Sequence, residues 1–116
     1  MTITEDEIIE ALVNWGDGMV LVSRAYETDG LEMARQVASQ TLDDLYGFEF
    51  GPILFKPTLS GGEKTFRTTK EGALSYFVGN SAEYPLDTGF GIKFWRKVWF
   101  ETSATFTQKN IAMWMG

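Results

Sequence analysis

Residues 66–79, with the sequence FRTTKEGALSYFVG, decide the fold of this chain. Thr68-Thr69-Lys70-Glu71 is a capping box, in which a Thr hydroxyl accepts an amide hydrogen and a Glu reaches back to the start of the helix. Small and apolar residues follow at helical spacing, and Gly79 ends the pattern, as glycine often does after the last helical turn. The segment therefore predicts a short helix that is reached from a brief extended stretch, Phe66-Arg67.

Two longer helical patterns precede this segment. The first opens with another capping box, Thr4–Glu7, and carries one apolar stripe at alternating steps of four and three. The members of that stripe are Ile8, Leu12, Trp15, Met19, Val22 and Tyr26. Gly16 and Gly18 interrupt it, which indicates close packing or a bend, because glycine in a helix costs up to about 1 kcal/mol relative to alanine. Leu31–Leu45 gives the second, smaller stripe.

Extended patterns surround and follow the third helix. Residues 53–67 predict a short hairpin, and residues 90–101 alternate apolar and polar side chains, which is typical of a long strand with one apolar face. Residues 102–108 and 111–115 continue as strands around a turn. We expect one domain over residues 1–116 of the α+β class, with three helices in the N-terminal half packed on a strongly curved, mostly antiparallel sheet.

Composition excludes several classes of function. The chain has no Cys and no His, so disulfides, thiolate chemistry and a histidine base are absent. No carboxylate cluster suggests a metal, and we expect no metal and no cofactor. The net charge of −6 argues against a nucleic-acid partner. No apolar run reaches the length of a membrane span and no signal-peptide pattern opens the chain, so the sequence predicts a cytoplasmic protein without a membrane partner.

The order of elements resembles the cone-shaped, cystatin-like fold of the nuclear transport factor 2-like superfamily. The chain is similar above all to small, uncharacterised bacterial proteins of its SnoaL-like group. The resemblance rests on residues 55–58, 66–67, 69–79, 89–90, Lys93 and Trp95, and on 6–9 and 15–18 near the start. It implies an apolar pocket inside the cone and dimerisation through the open sheet, but no single activity. Such proteins usually add two strands after the position of Met115, so we expect Ile111–Met115 to pair or exchange with a second subunit.

Arg96 is the main anomaly within the predicted long strand. It shares the parity of the apolar residues Phe90, Ile92, Phe94, Val98 and Phe100, which would place its guanidinium on the concave face. There it would clamp an anion or a carbonyl group. The alternatives are a β-bulge that reverses the parity, or a salt bridge to an acid on the first helix. Lys56 and Arg67 would either join Arg96 in a basic cluster or remain solvated edge charges, and we favour the second interpretation.

These patterns predict a homodimer that binds a small, largely apolar or weakly acidic molecule. The predicted pocket residues are Trp15, Met19, Tyr26, Phe55, Phe66, Tyr76, Phe77, Phe94 and Arg96. Apolar contacts would supply affinity and a few polar groups would fix orientation. One alternative is an isomerase, dehydratase or cyclase with an Asp or Tyr as acid or base. Another is an assembly module whose cone is filled by side chains.

The predicted subunit interface lies on the outer face of the sheet and on its last strand. Trp95 and Trp99 share the polar parity of the long strand, so we expect both rings on one exposed face. The full set of predicted interface residues is Trp95, Trp99, Ile111, Met113 and Met115.

Overall fold

The computed structural model describes residues 2–116 of the chain. The α-helices are α1 (Glu5–Asp29), α2 (Leu31–Leu45) and α3 (Lys70–Val78), the strands are β1 (Ala104–Gln108) and β2 (Ile111–Met115), and short 3₁₀ helices span Phe48–Phe50 and Phe90–Ile92. The α+β class and the three predicted helices are therefore confirmed.

The ends of the helices follow local chemistry. The capping box of α1 is complete, because the Glu7 amide donates to Thr4 Oγ1 at 3.2 Å and the Thr4 amide donates to Glu7 Oε1 at 3.3 Å. Helix α3 is capped by Thr69, one residue after the predicted Thr68, and Thr69 Oγ1 accepts from the Gly72 amide at 3.2 Å. Gly79 ends α3 with a φ of +69°, a conformation that favours glycine.

The strands β1 and β2 form an antiparallel two-stranded sheet, with Ala104 opposite Met115 and Gln108 opposite Ile111. The strongly curved, cone-shaped sheet is not confirmed. The predicted hairpin within residues 53–67 forms no regular strands, although the Arg67 amide donates to Phe55 O at 2.8 Å. Together with the Ile53 amide, which donates to Thr68 O at 3.1 Å, this bond holds the two arms of the hairpin side by side.

The predicted long strand over residues 90–101 is wrong. Phe90–Ile92 form a 3₁₀ helix, and Phe94 has a φ of +62°, in the left-handed region that interrupts a regular strand. Beyond this break Trp95 turns toward the core, where its indole Nε1 donates to Phe90 O at 2.7 Å. The alternation seen in the sequence is therefore not a continuous pleat.

The core lies where α1, α2 and α3 meet. Its buried members are Met19, Val22, Ala34, Ala38, Leu42, Ala73, Tyr76, Phe77 and Val78. Gly16 allows a close approach to α1, since a Cβ at that position would lie 2.9 Å from Val98 O. A Cβ at Gly18 would lie 2.6 Å from the side-chain Cγ2 of Thr41 on α2. Both glycines therefore mark close packing, as one of the two sequence interpretations predicts.

Candidate functional site

Aromatic rings from three parts of the chain meet beside α3. Phe77 stacks on Phe55 with ring centroids 5.9 Å apart, and Tyr76 stacks on Phe90 at 5.5 Å. Phe55 also meets the Tyr76 ring edge-on at 6.2 Å. Tyr76 and Phe77 are adjacent in α3, so the helix presents two rings to the extended segment on one side and to the 3₁₀ helix on the other. The cluster forms an apolar wall around one hydroxyl group.

That hydroxyl belongs to Tyr76, whose side chain is buried. Its oxygen accepts a hydrogen bond from the Leu59 amide at 3.1 Å. Among residues 2–116, no acceptor takes the hydroxyl hydrogen of Tyr76. Burial raises the pKa of Tyr76, the hydrogen bond from Leu59 opposes this, and the negative charge of Asp87 raises the pKa further. The phenol is therefore a neutral group with a hydrogen left to donate.

A small cavity of about 40 Å³ lies beside Tyr76. Its lining residues are Leu59, Tyr76, Leu86, Asp87, Thr88, Gly89, Phe90 and Lys93. One water occupies roughly 10–15 Å³ when space is measured in this way. The cavity thus fits a molecule of a few heavy atoms, whereas the pockets of drug-sized ligands span roughly 300–1,000 Å³.

A larger and more open cleft of about 320 Å³ lies between the start of α1 and the end of α2. Trp15, Tyr46 and Phe100 line it together with aliphatic residues. The Trp15 indole donates to the Tyr46 hydroxyl at 3.0 Å. Burial raises the pKa of Tyr46, against the opposing effect of that hydrogen bond. This cleft is almost entirely apolar and offers the Tyr46 hydroxyl as its polar group.

A buried ion pair borders the small cavity beside Tyr76, because one of its members, Asp87, lines that cavity. Arg67 donates to both carboxylate oxygens of Asp87, at 2.7 and 2.8 Å, and each side chain is only 4% exposed. The Ser75 hydroxyl donates to the same carboxylate at 2.5 Å. Burial acts to raise the pKa of Asp87, but the hydrogen bonds from Arg67 and Ser75 and the charge of Arg67 outweigh it, so the pKa is lowered.

Sequence reasoning missed this pair. The favoured interpretation of Arg67 as a solvated edge charge is wrong, because its guanidinium is buried. Asp87 lies in the polar loop between α3 and the second 3₁₀ helix, where no periodicity marks it. The available signal was the position of Arg67 directly before a buried helix, since a charge there needs a partner.

Arg96 does not point into the interior, contrary to the expectation from parity. Its side chain is 57% exposed and its Nη2 lies 2.9 Å from Glu27 Oε1 on α1. The salt bridge to an acid of the first helix, which was one alternative, is the arrangement found. Lys56 is also outside any basic cluster, because its Nζ donates to the backbone oxygens of Pro57 and Ser60.

The other predicted pocket residues divide into two groups. Phe66 and Phe94 are exposed, at 72% and 52%, and lie away from the cavity wall. Trp15, Met19, Tyr26, Phe55, Tyr76 and Phe77 are buried or partly buried in or against the core.

The predicted interface residues also differ in exposure. Trp95 packs against the core, so the expected pair of exposed indole rings on one face is wrong. Trp99 is exposed, as are Ile111, Met113 and Met115 on β2. Within residues 2–116, no three His, Cys, Asp or Glu side chains come together as metal ligands would. No helix in that range is both long and apolar enough to cross a membrane.

Comparison with known proteins gives consistent matches. A family model described as "Metal-independent carbonic anhydrase" matches residues 6–116. A curated protein of that same description from Nostoc sp. (strain PCC 7120) is 46% identical over 114 residues, which is 98% of this chain. The chain spans 56% of the length of that relative. A crystal structure of the iota-carbonic anhydrase from a cyanobacterium, complexed with bicarbonate, superposes with a TM-score of 0.96 at 45% identity. The superposition covers 99% of this chain and 70% of the solved one.

These matches overturn two sequence predictions. The assignment to uncharacterised SnoaL-like proteins is wrong, because the matching family model and relatives carry the description of a carbonic anhydrase. The prediction of a binding domain for an apolar ligand is wrong for the same reason. The alternative of an enzyme is nearer to these descriptions, but the isomerase, dehydratase or cyclase that it specified is not a carbonic anhydrase. The chain belongs to the family of metal-independent carbonic anhydrases.

Proposed function

We propose that this chain contributes to the interconversion of carbon dioxide and bicarbonate, with Tyr76 in contact with the substrate. One observation carries the proposal: the chain superposes over 99% of its length on an iota-carbonic anhydrase that was solved with bicarbonate. The small cavity beside Tyr76 supports the same assignment, because its size suits a molecule of three or four heavy atoms.

Hydration of carbon dioxide makes defined demands on such a site. The oxygen of a water molecule bonds to the carbon, one carbon–oxygen π bond breaks, and its electron pair moves onto an oxygen. The water loses a proton to the solvent, and bicarbonate results. The protein accelerates this step when it holds the reactants together and places a donor where the negative charge develops.

The Tyr76 hydroxyl meets the second demand. Its oxygen is already held by the Leu59 amide at 3.1 Å, so the direction of the remaining hydrogen is restricted. Because the pKa of Tyr76 is raised, the group remains a neutral donor at physiological pH. A hydrogen bond from this phenol to the oxygen of the forming bicarbonate stabilises the product-like charge. Phe90 lines the same cavity, and the rings of Phe55 and Phe77 pack on Tyr76, so the phenol lies in apolar surroundings that strengthen such a bond.

The test is the substitution Tyr76→Phe in the full-length protein, which removes one oxygen and keeps the ring. We expect kcat for carbon dioxide hydration to fall on the order of a hundredfold, the usual loss for one donor to a developing oxyanion. Tyr26→Phe is the matched control, because Tyr26 is a partly buried tyrosine on α1 that does not line the small cavity. Stopped-flow assays with a pH indicator measure both variants. An unchanged kcat in Tyr76→Phe would refute the role of Tyr76, and an inactive wild type would refute the function.

Two further features of the sequence analysis remain proposals. We propose that the hairpin arms within residues 53–67 continue the sheet in the assembled protein, which the backbone bond from Arg67 to Phe55 supports.

We also propose that a second copy of the chain packs on the exposed face of β1 and β2. The large apolar side chains of that face, and the general instability of an isolated pair of strands, support this.

A further inference from the structure

The Arg67 guanidinium of the ion pair with Asp87 makes four hydrogen bonds. Beyond the two bonds to Asp87, Arg67 donates to Gly72 O at 2.9 Å and to Lys64 O at 2.8 Å. Its guanidinium carbon lies 4.1 Å from the centre of the Tyr84 ring. Five contacts therefore hold one side chain in a single orientation.

Such a pair is an expensive way to stabilise a fold. Desolvation of two charges offsets much of their attraction, and well-packed apolar residues of the same volume often serve as well. Its position suggests another role. The pair joins the extended segment that ends at Arg67, the first turn of α3 through Gly72, and the loop that carries Asp87. All three segments surround Tyr76.

The link to Tyr76 is short. Ser75 donates to Asp87 at 2.5 Å and directly precedes Tyr76 in α3. Asp87 and Tyr76 line the same small cavity. A change in the pair therefore reaches Tyr76 by two routes, through the orientation of α3 and through the electric field in the cavity.

We propose that Arg67 and Asp87 are positioning residues for the reaction at Tyr76. Through Ser75 and the loop that carries Asp87 they fix the orientation of the Tyr76 hydroxyl beside the small cavity, and their opposite charges set the electric field at that hydroxyl. This inference rests on the proposed function of Tyr76.

The two charges act on the Tyr76 hydroxyl in opposite directions. Asp87 raises the pKa of Tyr76, and Arg67 lowers it. Other groups that face this region are Lys93 on the cavity wall, which donates to Thr88 Oγ1, and Lys56, which donates to the turn beside Leu59. Because Asp87 and Arg67 act with opposite sign, removing one or the other must move the titration of Tyr76 in opposite directions.

The experiment compares Asp87→Asn, Arg67→Met and Arg67→Lys in the full-length protein. The tyrosine ring carbon that bears the hydroxyl is labelled with ¹³C, and its chemical shift is followed against pH, with Tyr76→Phe identifying the signal. The pH profile of kcat is measured beside it. We expect the titration of Tyr76 and the alkaline limb of the profile to move to lower pH in Asp87→Asn and to higher pH in Arg67→Met. Arg67→Lys keeps the charge and should titrate close to wild type, with kcat reduced about tenfold by the lost orientation.

The outcomes separate the two proposals. Shifts of the same sign in Asp87→Asn and Arg67→Met, or no shift in either, overturn the inference, because a pair that only stabilised the fold would give that result. If a thermal melt shows that Arg67→Met does not fold, the other two variants decide. The inference is supported if the midpoint pH of the Tyr76 titration is lower in Asp87→Asn and unchanged in Arg67→Lys. The same midpoint pH in both variants overturns it. If the wild type shows no hydration activity, opposite shifts of the Tyr76 signal support the pair's effect on Tyr76 and only the proposed function fails.

Discussion

Asp87 shows how one buried charge links stability to pH. Its folded pKa lies below the usual value of 3.8, so its contribution is present in full above about pH 4 and is lost as pH falls through the lowered folded value. We predict that Asp87→Asn loses roughly 3–5 kcal/mol of unfolding free energy at pH 7, because the variant leaves the buried Arg67 unpaired. The gap between variant and wild type should narrow as pH falls toward 3.

Urea unfolding at a series of pH values measures this gap. Asp43→Asn is the matched control, because Asp43 pairs with Lys70 at 2.7 Å but is half exposed. That surface pair should contribute at most about 1 kcal/mol. A gap for Asp87→Asn that stays constant from pH 7 to pH 3 would contradict the prediction.

Single side chains show which placements a local sequence pattern can predict and which it cannot. Tyr76 lies in a helix that its own caps and apolar residues predicted, but the segments that pack against its ring, around Phe55 and Phe90, are distant in the sequence. Arg96 was misplaced because parity assumes an unbroken strand, and the left-handed Phe94 breaks it two residues earlier. Asp87 could not be found at all, since its partner Arg67 is 20 residues away and pairs of that kind leave no periodic signal.

At the scale of elements, the N-terminus of α3 gives a direct test of capping. We predict that Thr69→Ala lowers the unfolding free energy by about 1 kcal/mol, because Thr69 Oγ1 is the acceptor for the Gly72 amide. Thr68→Ala, next to it and exposed, should change stability by less than about 0.5 kcal/mol. Chemical denaturation of both variants distinguishes the cap that the structure contains from the one that the sequence predicted. Equal losses would show that neither Thr is a unique cap.

Close packing of α1 gives a second test. Alanine is normally the better helix former by up to about 1 kcal/mol, so Gly16→Ala would stabilise an isolated α1. In the protein the new Cβ would lie 2.9 Å from the backbone oxygen of Val98, and a backbone atom cannot rotate away. We therefore predict a net loss of about 1–3 kcal/mol.

Asn14→Ala on the exposed face of the same helix is the control and should be neutral or slightly stabilising. Thermal and urea unfolding measure both variants. A stabilised Gly16→Ala would mean that α1 and the segment around Val98 do not pack as closely as described.

The helices were predictable because the information that forms them is local: caps, apolar stripes and terminal glycines all lie within the segment concerned. The sheet was not, because the pairing of strands depends on distant segments. Residues 111–115 became a strand as predicted, whereas the arms of the hairpin around residue 60 make backbone bonds without regular strand geometry. Periodicity alone does not distinguish these two outcomes.

At the scale of the whole molecule, the β1–β2 sheet leaves one face uncovered. Phe106 and Met113 lie opposite each other in the register, and both are exposed by more than half, as are Ile111 and Met115. Two strands alone are marginally stable in water, and an unpaired edge is a ready template for another strand. The second copy that we propose above would satisfy both needs, because the same apolar face occurs on each copy and a two-fold contact is self-complementary.

We predict that Met113→Lys disrupts the proposed association between two copies. A charge in the centre of the apolar face must be desolvated on contact, so the dissociation constant of the dimer should rise at least tenfold, which corresponds to about 1.4 kcal/mol. Thr107→Lys adds the same charge to the opposite face of the sheet and should leave the constant within about threefold. Sedimentation velocity over a range of concentrations measures all three proteins. A wild type that remains monomeric at every concentration, or a Thr107→Lys variant that dissociates as readily as Met113→Lys, would show that this face does not form the contact between copies.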